Sequence, residues 1–124
     1  MKIIDIKTQD IRFPTSKDNL GTDAVHVDCD YSATYVTIFT DQKDLTGIGL
    51  TFTIGKGNDL CCTVIEYFKE FIIGKNVEEI EKDIASIWEK ITNHSQLRWV
   101  GPQKGVTHLA CLLYTSDAAD DSLR

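Results

Sequence analysis

Apolar and polar positions alternate along "KIIDIKTQDIRF" at the amino terminus, with Ile4 and Ile6, then Ile11 and Phe13, on the apolar side. A period of two sends successive side chains to opposite faces, so this stretch predicts a half-exposed strand. Pro14 ends it, because proline has no N–H to give to a ladder. "SATYVTIFTD", rich in β-branched and aromatic residues, predicts a second strand, "DQKD" a turn and "LTGIGLTFTI" a third strand. The short connection favours an antiparallel meander. The connection before it is different. "DNLGTDAVHVDCDYSATYV" starts as a polar, acidic loop and only then becomes a strand. Irregular connections longer than about 12–15 residues are uncommon and usually functional or disordered.

After the third strand the period changes. Leu60, Val64, Phe68 and Phe71 are spaced as the stripe of an amphipathic helix, with Asn58 as its N-cap and Gly74 as its stop. Asn76 and Glu79 have the spacing of a capping box and open a second helix with Val77, Ile80, Ile84, Ile87 and Ile91 inward. "NHSQLRWVGPQKG" predicts a loop and "VTHLA" the start of a third helix. The expected fold class is therefore α+β: a three-stranded antiparallel meander followed by a helical bundle on one sheet face.

The 124 residues amount to one domain, 42% hydrophobic and 26% charged. The net charge of −6 disfavours binding to nucleic acid, which relies on clustered Lys and Arg. No run approaches the roughly 18 apolar residues of a membrane span, and the amino terminus lacks an apolar signal core, so a cytoplasmic protein is expected. Cys29, Cys61, Cys62 and Cys111 form no C-x-x-C pair, and His26, His94 and His108 add no ligand spacing. Reduced thiols are expected, with Cys61 or Cys62 in the core, and no metal site. "GKGND" begins a G-x-G-x-x-G pattern, but position 60 is Leu, so a turn and helix entry is the better account.

From Cys111 the character changes. "CLLYTSDAADDSLR" turns small, polar and acidic, and "CLLYTSDAAD" resembles the read-through of a transposase sequencing adapter. Residues 111–124 are expected not to be native; the alternative is a frayed natural terminus. Without Asp117, Asp120, Asp121 and Arg124 the charge moves from −6 to −4, and the partner argument stands.

"DIRFPTS", "DYSATYV", "GLTFTIGKGND" and above all "SQLRWVGPQKGVTHLA" resemble the N-terminal capping domain of the L-fuconate dehydratases, in the mandelate racemase branch of the enolase superfamily. The similarity covers residues 1–110 as a capping domain cut short before its end. The resemblance implies a partner domain in cis, a TIM-like barrel absent from this chain, and an active site at its strand ends. It implies Mg²⁺ in the full-length protein, with the metal ligands, Lys base and His–Asp pair all in the barrel. The reaction would be loss of water from a sugar acid, L-fuconate, to a 2-keto-3-deoxy acid. It further implies an apolar face covered by the barrel, and relatives that are commonly homo-oligomers.

Within this frame the cap contributes no catalytic residue but two loops that read substrate hydroxyls. Gly21, Thr22 and Asp23 match the segment that contacts the sugar acid: Gly21 for close backbone approach, Thr22 through its backbone, Asp23 as an acceptor. Tyr31 matches a second substrate contact. Read without the resemblance, Asp23 is a solvated loop acid and Tyr31 a strand-edge aromatic. Cys29 stands where relatives often have Pro, which would loosen the loop. Thr51 and Phe52 are candidates for the mouth, with core packing favoured for Phe52. Arg98 and Trp99 are expected to dock the cap onto the barrel, and His108 to lie in the interdomain core. Two other readings stay open: the cap of another sugar-acid dehydratase or racemase, and a free-standing α+β binding module.

Overall fold

The computed structural model describes residues 1–101 and 105–115. Three strands, β1 (Ile3–Arg12), β2 (Ser32–Thr40) and β3 (Thr46–Thr53), form one sheet in the order β1-β2-β3. Both pairings are antiparallel, the meander expected from the short β2–β3 connection. Four helices follow: α1 (Asn58–Ile72), α2 (Val77–Lys82), α3 (Ile84–Thr92) and α4 (Val106–Thr115).

Simple alternation misplaces one residue of β1. The pairing register shifts between Ile3 and Asp5, so Ile3 faces Thr40 and Ile6 faces Ile38. That irregularity puts two residues three apart on one face, as a bulge does. Ile3 and Ile6 are buried, whereas Ile4, expected inward, points to solvent.

The core lies between the inner sheet face and α1. Ile6, Val36, Ile65 and Phe68 are fully buried there, joined by Ile72, Ile91, Ala110 and Cys111. The stripe of α1 runs through Cys61, Val64, Ile65, Phe68 and Ile72. Leu60, expected inward, lies one position off it and is exposed. Asn58 is not the N-cap: Gly57, at φ +101°, takes that place, and Asn58 begins the helix with its side chain buried. Gly74 does follow the helix end, at φ +84°, and its N–H donates to Ile3 O at 2.8 Å, tying α1 back to β1.

The expected second helix is two. Asp83 interrupts it at φ −142° and caps α3 by accepting from the Ser86 N–H at 3.2 Å. Asp competes with the helix by bonding neighbouring backbone through its own side chain, and here that outweighs the continuous apolar stripe. Asn76 is the N-cap of α2, but its amide donates to the Glu79 carboxylate rather than capping the backbone.

The helix begun by "VTHLA" continues to Thr115, and burial pushes the Cys111 thiol up to about 12. Residues 116–124 of the tail, and Pro102, Gln103 and Lys104 of the loop before α4, lie outside the described residues. All four cysteines are free thiols, and Cys61 is the one of the adjacent pair that is buried.

The two sheet faces differ. On the outer face Ala33, Tyr35 and Thr37 pair with Phe52, Leu50 and Ile48, and those three β3 side chains are exposed. The inner face is apolar at one end, with Ile3, Ile6, Val36 and Ile38, and polar at the other, with Ser32, Thr34 and Thr51. The polar end is the one that carries the long loop.

Candidate functional site

The segment of residues 14–31 between β1 and β2 is an ordered loop held by its own polar groups. It opens with a 3-10 turn over Thr15–Asp18, and Asn19 then reverses the chain at φ +53°. The Thr15 hydroxyl staples the two ends, donating to Cys29 O at 3.0 Å and accepting from the Tyr31 N–H at 2.9 Å. Phe13 N–H adds a bond to Tyr31 O at 3.1 Å. No buried side-chain nitrogen or oxygen of this loop lacks a partner, which is what a long irregular segment needs in place of a ladder.

Gly21 and Tyr31, ten residues apart, meet. The Tyr31 hydroxyl donates to Gly21 O at 3.1 Å, and its ring stands edge-on to Phe52 with centroids 5.5 Å apart. A Cβ on Gly21 would lie 2.1 Å from the Tyr31 oxygen, and Gly21 sits at φ +73°. Only glycine combines that dihedral with that approach. Cys29 is the one buried side chain of the loop, and its Sγ lies 3.1 Å from Gly21 O. It anchors the loop interior rather than loosening it.

Asp23 is held within its own turn. Its Oδ1 accepts from the Val25 and His26 N–H groups, both at 2.7 Å, and the His26 ring nitrogen lies 3.1 Å from Oδ2. The His26 backbone bond, then that of Val25 and the His26 ring, bring the Asp23 carboxyl down to about 2. Oδ2 stays at the surface with acceptor capacity left over. The Thr22 hydroxyl donates to Asn19 O at 3.1 Å, so its side chain is occupied within the loop.

A carboxyl lowered in the folded state stabilises the turn above its unfolded value near 3.9 and loses that effect as pH falls through the folded value. An NMR titration that follows the Asp23 side-chain carboxyl carbon should therefore show a midpoint of about 2. A midpoint near 4 would mean that the Asp23 turn does not form.

Asn58 secures the opposite side of the site. Its amide nitrogen donates to Asp10 Oδ1 at 2.8 Å, its side-chain oxygen accepts from the Thr53 hydroxyl, and its backbone oxygen accepts from the Thr34 hydroxyl at 3.2 Å. One buried side chain thus joins β1, β3 and α1 where the loops emerge. The Asp10 carboxyl is held below its ordinary value, first by its hydrogen bond from Arg12, whose Nη2 lies 2.7 Å away. Sequence spacing had suggested only a helix cap here, because these partners lie 5 to 48 residues away.

Phe52 is exposed, against the expectation of core packing, and Thr51 is the buried one of the two. Phe52, Ile54, Lys56, Leu60, Val106 and Leu109 line an open, mostly apolar groove of about 340 Å³. Trp99 is 80% exposed in a 3-10 turn, while His108 stands edge-on to Trp88 at 4.7 Å.

No family model matches the chain. It is 44% identical over 108 residues to L-galactonate dehydratase of Hypocrea jecorina, which covers 87% of this chain and 24% of that protein. It is 46% identical over 110 residues to mitochondrial enolase superfamily member 1 of Xenopus laevis, covering 88% and 25%. The crystal structure of human mitochondrial enolase superfamily member 1 matches 88% of this chain and 25% of that one, with a TM-score of 0.83 at 42% identity. This chain belongs to the enolase superfamily. A mandelate racemase/muconate lactonizing enzyme from Polaromonas sp. JS666, at 14% identity and a TM-score of 0.63, shares the fold.

The three-stranded meander with its following helices is the superfamily's N-terminal capping domain. The chain spans about a quarter of the length of the curated relatives it matches. A complete TIM barrel takes about 250 residues, more than this chain has, and the described residues form only the meander and its helices. Among the described residues of this enolase-superfamily cap, no three His, Cys, Asp or Glu side chains come together to hold a metal ion. Among the described residues no helix is long and apolar enough to cross a membrane.

Proposed function

We propose that the full-length protein is a Mg²⁺-dependent sugar-acid dehydratase acting on L-fuconate, and that this domain is the cap over its active site. The observation that carries the reading is the folded loop of residues 14–31, which turns a polar segment into a fixed surface around Gly21 and Tyr31. In this reading Gly21, Thr22, Asp23 and Tyr31 contact the substrate. Gly21 lets the acid approach the backbone, Thr22 acts through its backbone, Asp23 accepts through Oδ2, and Tyr31 offers its phenol. A lid so built excludes water and reads hydroxyls, because a mismatched partner leaves a buried polar group unpaired at about 1–3 kcal/mol. Proton transfer and the Mg²⁺ ligands belong to a barrel in cis, and this cap holds no catalytic residue.

The 44% identity to an L-galactonate dehydratase favours a second reading, in which L-galactonate is the substrate. The two acids differ only at C6, a methyl in one and a hydroxymethyl in the other. Leu20, Val25 and Val27 are exposed on the loop and suit a methyl end, which supports L-fuconate. Full-length protein with Mg²⁺ is expected to dehydrate L-fuconate with a kcat/KM about tenfold above that for L-galactonate, a difference within reach of an apolar contact. The 124-residue chain alone is expected to form no keto acid. A preference for L-galactonate, or turnover by the isolated chain, would overturn the respective part.

The same proposal includes a boundary at residue 110, with residues 111–124 as adapter read-through, tested by sequencing the gene past codon 110. It includes a cytoplasmic setting, supported by the free cysteines Cys29, Cys61 and Cys62, and a homo-oligomeric full-length protein without nucleic-acid or membrane partners.

A further inference from the structure

Two loops leave the polar end of the sheet: residues 14–31 after β1 and residues 54–57 after β3. They meet at Asp30. The Asp30 carboxylate reaches back to the start of the first loop, with Oδ1 accepting from the Ser16 N–H at 3.1 Å and the Ser16 hydroxyl at 2.6 Å. The Asp30 N–H reaches the other way, donating to Ile54 O at 3.0 Å. Gly55, at φ +122°, packs so close that a Cβ there would lie 3.2 Å from Asp30 Cβ. The Asp30 backbone oxygen accepts from the Ser32 hydroxyl at 2.8 Å, fixing the residue to the start of β2. One residue therefore bonds to both loops and to the sheet, and its neighbour Tyr31 bonds to Gly21 and touches Phe52.

We propose that Asp30 is a positioning residue that joins the two loops into one body, so that Gly21 and Tyr31 of the first and Ile54 and Gly55 of the second are presented together rather than by two independent lids. The link stands on the geometry of this domain; its consequence for substrate rests on the function proposed above. Two loops that move independently must each be ordered when substrate binds, whereas a joined pair is ordered once, in advance. The Ser16 hydroxyl bond, the largest influence on it, holds the Asp30 carboxyl below its ordinary value, so the acceptor is charged at neutral pH.

The test needs no enzymatic activity: amide hydrogen exchange of the full 124-residue chain, read by NMR. Asp30→Ala is expected to speed exchange about tenfold at Leu20 and Tyr31 and also at Gly55, across the gap. Ser16→Ala, which removes the hydroxyl bond and keeps the backbone N–H bond, should give the same pattern to a smaller extent. Gly55→Ala should speed exchange at Ser16, whose bonds do not involve Gly55. Asp30→Asn keeps an oxygen acceptor and should stay near wild type. Val36 and Ile65, in the core, should be unchanged in Asp30→Ala. Changes confined to the substituted loop would overturn the proposal. So would an Asp30→Asn protein as loose as Asp30→Ala, or loosening of Val36 and Ile65 together with the loops in Asp30→Ala. Because catalysis is not read, failure of this link and failure of the dehydratase assignment are separable.

Discussion

Gly21→Ala is expected to lower kcat/KM of the full-length protein for its sugar acid by about 100-fold, the scale of a misplacement of roughly 1 Å at a reacting site. The methyl group would enter the space of the Tyr31 phenol, where the ideal Cβ lies 2.1 Å from the oxygen and 2.2 Å from the ring carbon that bears it. The backbone cannot move aside cheaply, because φ +73° is already a conformation that L side chains rarely adopt. Tyr31 must then swing off Phe52 and give up its bond to Gly21 O. The fold has little stake in this: both residues are exposed and lie outside the core cluster. The melting temperature should therefore fall by only a few degrees, about 3–5 °C. Steady-state kinetics together with a thermal melt decide it. A variant with kcat/KM within about twofold of wild type would remove Gly21 and Tyr31 from the proposed contacts, by the same conversion of rates to free energy.

Phe68→Ala should act the opposite way, on stability. Phe68 is fully buried where α1 meets the sheet, in the cluster with Ile6, Val36 and Ile65. Truncating a core Phe costs about 3–5 kcal/mol in lost transfer energy and residual cavity. Domains are stable by only about 5–15 kcal/mol, so this is about a fifth of the whole or more. With an m-value of about 2 kcal/mol/M, the urea midpoint should drop by roughly 2 M. Leu60→Ala is the matching control, since helical spacing alone puts Leu60 and Phe68 in one stripe. Leu60 is 59% exposed, and its truncation should cost under about 0.5 kcal/mol. Equal losses for the two would mean that α1 is rotated from the orientation described.

Ile48, Leu50 and Phe52 on β3, with Leu60 beside them and Trp99 further along the chain, are among the large apolar side chains that are exposed. The expectation that Arg98 and Trp99 dock the cap onto a barrel belongs to the function proposed above, and the 80% exposure of Trp99 supports it.

The alternation of β2 and β3, the turn between them and the helical stripe of α1 were legible because each is a short-range pattern, enforced by the backbone period of its own element. The capping-domain family was legible for a related reason: "SQLRWVGPQKGVTHLA" is a long local string. The candidate loop could be located by its length and its polar composition, but its shape could not. The shape depends on bonds such as Tyr31 to Gly21, Asp30 to Ser16 and Asn58 to Asp10, which join residues 10, 14 and 48 positions apart. The inward turn of Ile3 and the exposure of Leu60 were likewise settled by how the elements pair and pack, whereas the break at Asp83 is a local side-chain bond that outweighs the apolar stripe. What the chain order dictated alone was the succession of three strands and then helices, and most of their apolar faces. Only the tertiary structure decided which polar side chains hold the loops, because a hydrogen-bond partner distant in sequence leaves no periodic trace.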